Sequence, residues 1–230
     1  MKRLSGCRTV LAVDDDSYPS QLKELRNPPE KLYVIGNTEA LRPGIALVGS
    51  RRATPYGVAC AKRFAGIAAA KGTVVVSGGA RGCDTAAHRA AVEAGGQTVA
   101  VLGGGCDELY PAENAPLFQS IIDAGGAIVS EYDWGTSPRP YKFRCRNRIV
   151  AGLARAILIV EAGLPSGTFS AADEAHDAGR AVLAVPGAIT SVTSRGANLL
   201  IYQGATPIVD DETFVDALFV SGLHTPGTHG

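Results

Sequence analysis

From residue 44 onward the chain repeats one cadence. A short run of β-branched and apolar residues closes on glycine or serine, and an alanine-rich stretch with helical spacing follows. The runs are IALVG (45–49), TVVVSGG (73–79), QTVAVLGGG (97–105), AIVSE (127–131), AILIVEAG (156–163), AVLAVPG (181–187) and TPIVDD (206–211). They are apolar throughout instead of alternating, which predicts strands buried on both faces, as in a parallel sheet covered by helices. Helices are predicted near 56–70, 84–94, 113–124, 146–154, 167–178, 195–203 and 212–219, with Asp84 as an N-cap and Gly95 stopping the same helix at C′. The fold class that follows is α/β, an open, doubly wound, mostly parallel sheet of about seven strands with helices on both faces. Residues 1–43 lack the cadence and read as a lead segment packing on the core, with one short helix and one short strand; residues 44–220 form the main domain, and 221–230 (SGLHTPGTHG) are expected to be a disordered tail.

Composition changes this picture at one point. Hydrophobic residues at 46% and charged residues at 19% are ordinary for a globular chain of 230 residues, but 28 glycines are not. They gather where strands end: Gly49, Gly78, Gly79, Gly103 to Gly105, Gly163, Gly167 and Gly187. In an open α/β sheet the ligand lies outside the carboxyl ends of the strands, and turns without side chains let an anion approach backbone N–H groups. Tight βα turns alone would account for any one of these glycines; their clustering at five strand ends argues for a phosphate-bearing ligand. GxGxxG after the first strand and GxxxxGK[ST] anywhere are both absent, which argues against a dinucleotide enzyme or a P-loop ATPase.

Lys+Arg and Asp+Glu both number 22, so attraction to a nucleic acid requires a local basic surface. KFRCRNR supplies one candidate, with Lys142, Arg144, Arg146 and Arg148 in seven residues. Read as extended chain, its cations share one face and Phe143, Cys145 and Asn147 the other, a clamp for phosphates with an aromatic platform for a base; a solvated basic loop is the alternative. Catalytic signals are thin. His88 and His176 sit in helical stretches among alanines, and Glu131 and Glu161 at strand ends either pair with arginines or act as bases. The five cysteines have no CxxC pair and no zinc-site spacing, so neither metal nor other cofactor is expected. No apolar leader or 18-residue apolar run is present, and the expectation is a cytoplasmic protein with reduced thiols and no membrane contact.

Taken together, GSR, SGGARGCDTAAH, AVLGGGCDELYPAEN, IVSE, FRCRNRIVAGL, VEAGLPSGTFSAADEA, AVPG and GANLLIYQGA, in that order, resemble the DNA processing protein A family, also called DprA or Smf, from about residue 18 to Val209. The resemblance implies an extended Rossmann-like domain, not an enzyme, that binds single-stranded DNA without strong sequence preference, protects it, dimerises, and assists loading of the RecA recombinase in natural transformation. It also implies DNA-contacting positions: Ser50, Arg51, Gly78, Gly79, Arg81, Lys142, Phe143, Arg146, Asn147, Arg148, Ser166, Gly167 and Thr168. Arg144 stands where the family usually has proline and Cys83 where it usually has isoleucine, and the accessory modules many members carry at either end have no counterpart here. Two other readings remain open. VEAG followed by SGTFSAADEA is similar to the loop of lysine-decarboxylase-like nucleotide phosphoribohydrolases, with Glu174 as a candidate acid, although that family's PGGxGT form is absent; and the same crevice would suit a nucleotide-sensing module.

Overall fold

The computed structural model describes residues 3–224; the expected disordered tail lies largely outside the described residues. Nine strands form one sheet: β1 (Arg8–Ala12), β2 (Lys31–Gly36), β3 (Gly44–Gly49), β4 (Val75–Ser77), β5 (Thr98–Val101), β6 (Ala127–Ser130), β7 (Ala154–Glu161), β8 (Ala181–Ala184) and β9 (Thr206–Pro207). Their order is β1-β2-β6-β5-β4-β3-β7-β8-β9. The pairs from β6 through β9 are parallel, while β1 with β2 and β2 with β6 are antiparallel. Each of the seven predicted runs holds a strand. The lead segment adds two more where one was expected, because Val34 and Ile35 complete the buried edge beside β6.

The helices are α1 (Ser20–Lys23), α2 (Pro55–Ala70), α3 (Cys83–Glu93), α4 (Ala115–Asp123), α5 (Pro140–Cys145), α6 (Asn147–Gly152), α7 (Thr168–Asp177), α8 (Arg195–Tyr202) and α9 (Asp211–Val220). On one face, Ala61, Ala65 and Ala68 of α2 and Ala87 and Ala91 of α3 pack with Ile45, Leu47 and Leu158 beneath Phe214 and Leu218 of α9. Small side chains let α2 and α3 lie close together, which brings their N-termini to neighbouring strand ends. On the other face, Leu22, Ile149, Val150, Ala171 and Ala175 cover Ala46, Val76 and Ile157. None of the described helices is long and apolar enough to cross a membrane.

From β3 the chain builds outward to β4, β5 and β6 on one side, then crosses to β7, β8 and β9 on the other. The carboxyl end of β3 is therefore a topological switch point, where connections diverge and a crevice opens. Glu161 fixes that end. It is buried at the close of β7, and its carboxylate accepts from Thr54 N (2.9 Å) and Thr54 Oγ1 (2.6 Å), while Ser50 N donates to its carbonyl (2.9 Å). Thr54 Oγ1 in turn accepts from Gly57 N (3.2 Å) as the N-cap of α2. Glu161 thus pairs with a cap and a backbone amide and not, as expected from the sequence, with an arginine or as a base.

Asp84 also differs from expectation. The N-cap of α3 is Gly82, and Asp84 lies buried in the first turn, 3.3 Å from Ala80 N. Gly82 has φ +75° and ψ −124°, and a Cβ there would run into Ser50 O, so only glycine fits. One turn on, His88 is fully buried, 2.7 Å from Thr98 Oγ1. Because Thr98 Oγ1 gives its proton to Val75 O (2.6 Å), His88 Nδ1 is the donor and Nε2 is left bare and without a partner.

Two predictions follow from these buried polar groups. Thr54→Ala removes the cap of α2 and the hydroxyl's hydrogen bond to a buried carboxylate, leaving the backbone N–H bond in place, and it is expected to lower stability by about 2 kcal/mol in urea unfolding with the m-value unchanged. Burial, reinforced by Arg146, pushes His88 from 6.5 down to about 3. Between those values the unfolded chain binds a proton that the folded chain does not, so stability falls with pH by roughly 1.4 kcal/mol per unit. His88→Asn, which keeps a donor for Thr98, should flatten that slope between pH 6.5 and 5, as read by thermal unfolding across pH.

Candidate nucleic-acid interface

Three loops and one helix converge at the switch point. The β3–α2 turn brings Arg51; the β4–α3 turn brings Gly78, Ala80 and Arg81; the loop after β5 brings Tyr110 and Pro111; and α5 brings Phe143. These residues line one narrow cleft. The Arg51 guanidinium lies 5.2 Å from the centre of the Phe143 ring, and Tyr110 and Phe143 are 5.3 Å apart with planes tilted by 55°. Arg81 stands 5.9 Å from the Tyr110 ring and forms an exposed ion pair with Glu113, one limb of which measures 2.9 Å. A glycine-rich turn opening an α-helix, flanked by arginines and an aromatic ring, is suited to a phosphate with a planar group attached.

KFRCRNR is not the extended clamp that its alternation suggested. Pro140 starts α5, and α6 follows Cys145 with Arg146 alone between them at φ −68° and ψ −19°. The helical twist therefore sends the four cations in different directions. Lys142 is buried, its Nζ donating to Ser137 O (3.1 Å) and lying 4.5 Å from the centre of the Tyr132 ring. Arg148 chelates Glu131 at 2.7 Å through both terminal nitrogens, donates through Nε to Asn27 O (2.9 Å), and also reaches Cys145 O. Arg144 is exposed.

Arg146 is only 4% exposed, and its Nε is buried without a hydrogen-bond partner. Its guanidinium lies directly against Gly78, where a Cβ would collide with both terminal nitrogens. Burial, with Arg51 adding repulsion against the pull of Asp84, brings its pKa down to about 10, so it remains a cation at neutral pH. Burial likewise raises the Asp84 carboxyl against the pull of Arg146.

The other expected positions take structural parts. Ser50 Oγ accepts from Arg52 N (3.1 Å), and its carbonyl accepts from Cys83 N (3.1 Å), tying the β3 turn to α3. Gly79 O accepts from the buried Asn114 side chain (3.0 Å), which also holds Thr85 Oγ1 (2.8 Å). Asn147 reaches across to Ser170 Oγ (3.4 Å) in the first turn of α7, and Ser166 Oγ accepts from Thr168 N (3.2 Å). Ser166, Gly167 and Thr168 lie at the start of α7, and they are not among the walls of the Phe143 cleft. Sequence reasoning missed Tyr110, Glu113 and Asn114, although LYPAEN, three residues after the GGG turn, carried the signal. Glu174 lines a separate cavity of about 710 Å³ with Glu131, Tyr132, Arg148 and Asp177, where burial and its acidic neighbours raise its pKa. It lies about two turns down α7 from the SGT loop, in that cavity and outside the Phe143 cleft.

Comparison with known proteins identifies the family and the fold. The chain is 39% identical to Protein Smf of Escherichia coli over 216 residues, covering 94% of this chain and 58% of that one. It is 40% identical to DNA processing protein DprA of Streptococcus pneumoniae over 196 residues, or 84% of this chain and 68% of that one. The crystal structure of the pneumococcal protein superposes with a TM-score of 0.84 at 36% identity over 93% of this chain and 74% of that one. DNA processing protein A of Helicobacter pylori, whose structure concerns its single-stranded DNA binding mode, also scores 0.84, at 31% identity over 95% of this chain and 99% of that one. A molybdenum cofactor binding protein of Rippkaea orientalis, at 18% identity and TM-score 0.54, shares the Rossmann-like fold alone. The model of the DNA recombination-mediator protein A family matches residues 9–219, and the chain belongs to that family of DNA-processing proteins.

Proposed function

We propose that this chain binds single-stranded DNA in the cleft at the end of β3 without strong preference for sequence, and that it acts as a mediator and not as a hydrolase. The observation that carries the reading is the Arg51 guanidinium set 5.2 Å over Phe143 beside the glycine turn that opens α3. A ring face accepts any base, and an arginine with a helix N-terminus accepts the phosphate that every nucleotide carries. Arg146 supports the turn from beneath: a buried cation against Gly78 adds positive potential where a phosphate would lie. Membership in a family of recombination mediators supports two finer expectations, assistance to the RecA recombinase in transformation and association as a homodimer. The chain spans 58% of the length of the Escherichia coli relative, and those roles are proposed for it on the family's footing.

The test is anisotropy titration of labelled poly-dT at a series of salt concentrations. With about four phosphates neutralised, log affinity should fall against log salt with a slope near −3, at about 0.7 per phosphate. Arg51→Ala should weaken binding and bring the slope about 0.7 closer to zero. A wild-type slope near zero, or no binding at all, would sink the reading.

The Arg81–Glu113 pair makes a second, opposite prediction. Glu113 competes for the cation that a phosphate would engage, so Glu113→Gln should tighten binding about two- to fivefold and steepen the slope by about 0.7.

A further inference from the structure

Tyr110 is not explained by the core. Its ring is 41% exposed, yet the backbone that carries it is held firmly: Leu109 is buried before it, and Asn114 after it is pinned to Gly79 O and Thr85 Oγ1. A large aromatic held out from a fixed segment into a cleft forgoes burial, and such exposure marks a contact surface. The ring also has the same company as Phe143. Arg51 lies 5.2 Å from Phe143, and Arg81 lies 5.9 Å from Tyr110, so one ring-and-arginine pair is repeated at a centre-to-centre spacing of 5.3 Å.

We propose that Tyr110 is a second base-stacking platform, so that the cleft seats two consecutive nucleotides, one base on Phe143 and its neighbour on Tyr110. This rests on the reading of the cleft as a single-stranded DNA site. Consecutive bases rise about 3.4 Å when stacked on one another and lie further apart when splayed, so rings 5.3 Å apart fit one nucleotide step of an opened strand. The 55° tilt between the rings means that two bases lying on them cannot remain parallel. Binding therefore unstacks the pair, and the phosphate joining them falls between Arg51 and Arg81. The platform is tolerant of base identity, because every base offers a π-face.

The experiment uses a short single strand of 2-aminopurine, whose near-ultraviolet circular dichroism reports stacking between neighbouring bases, alongside poly-dT anisotropy. Wild-type protein should bind and collapse the stacking signal. Tyr110→Ala should bind about five- to a hundredfold more weakly, leave the stacking signal largely intact on the bound strand, and keep the salt slope, since no phosphate contact is removed. Tyr110→Phe, which retains the ring, should behave as wild type. An unchanged thermal midpoint for Tyr110→Ala separates the effect from folding. The inference is overturned if Tyr110→Ala binds and unstacks the strand as wild type does, or if Tyr110→Phe loses as much affinity as Tyr110→Ala. Failure of the wild type to bind poly-dT would instead overturn the DNA reading beneath it.

Discussion

The approach of the Arg146 guanidinium to Gly78 joins the two halves of the cleft. Arg146 is the single residue between α5 and α6, and Gly78 lies just beyond β4, so their contact sets where Phe143 stands relative to the turn that opens α3. No residue other than glycine at position 78 leaves room for the guanidinium. A buried cation with an unpartnered Nε is costly unless the site it underlies gains from positive potential. That cost is consistent with a site organised around an anion.

Around this contact the polar groups divide into those that build the cleft and those that face it. Glu161 and Thr54 hold the β3 end, Ser50 ties it to α3, and Asn114 clamps the carbonyl of Gly79; all are engaged within the protein. Arg51, Arg81, Tyr110 and Phe143 line the opening, and the side-chain pairings of the two arginines are with aromatic rings or an exposed carboxylate. Rigid internal bonding behind a lightly engaged surface is the arrangement that preorganises a site without closing it. The second cavity, walled by Glu131, Arg148 and Glu174, lies on the Cys145 side of the α5–α6 unit, with Arg148 paired to Glu131 and burial raising the Glu174 carboxyl. Its lining mixes three carboxylates with Arg26 and Arg148, whereas the Phe143 cleft is lined by two arginines and no carboxylate.

KFRCRNR shows how alternating charge can suggest an extended strand where the chain forms two short helices. The segment places Phe143 in the cleft and Arg146 beneath it as a helical pair started by Pro140, and Lys142 and Arg148 are engaged within the protein. The apolar IVAGL supports the helix expected over 146–154, which α6 matches, while Pro140 in first-turn position was the signal for a helix before it that the alternation of charge outweighed. The lead segment, read as holding one short helix and one short strand, holds a second strand, β1, as well. KLYVIG is a short run among prolines, and nothing local says that it will complete the antiparallel edge beside β6.

The sequence by itself determined the fold class, the seven parallel-sheet strands, the address of the glycines and the family, because continuous apolar runs and turn glycines are local consequences of burial on both faces of a sheet. Only the tertiary structure decided which cations remain available. Lys142, Arg146 and Arg148 have the same formal charge in the chain, and what separates them is distance to Ser137, Gly78 and Glu131, residues 5, 68 and 17 positions away. Charge acts through space over a few ångströms, so its use is set by partners that folding brings near. The same holds for Tyr110, whose meaning comes from a ring 33 positions further along the chain.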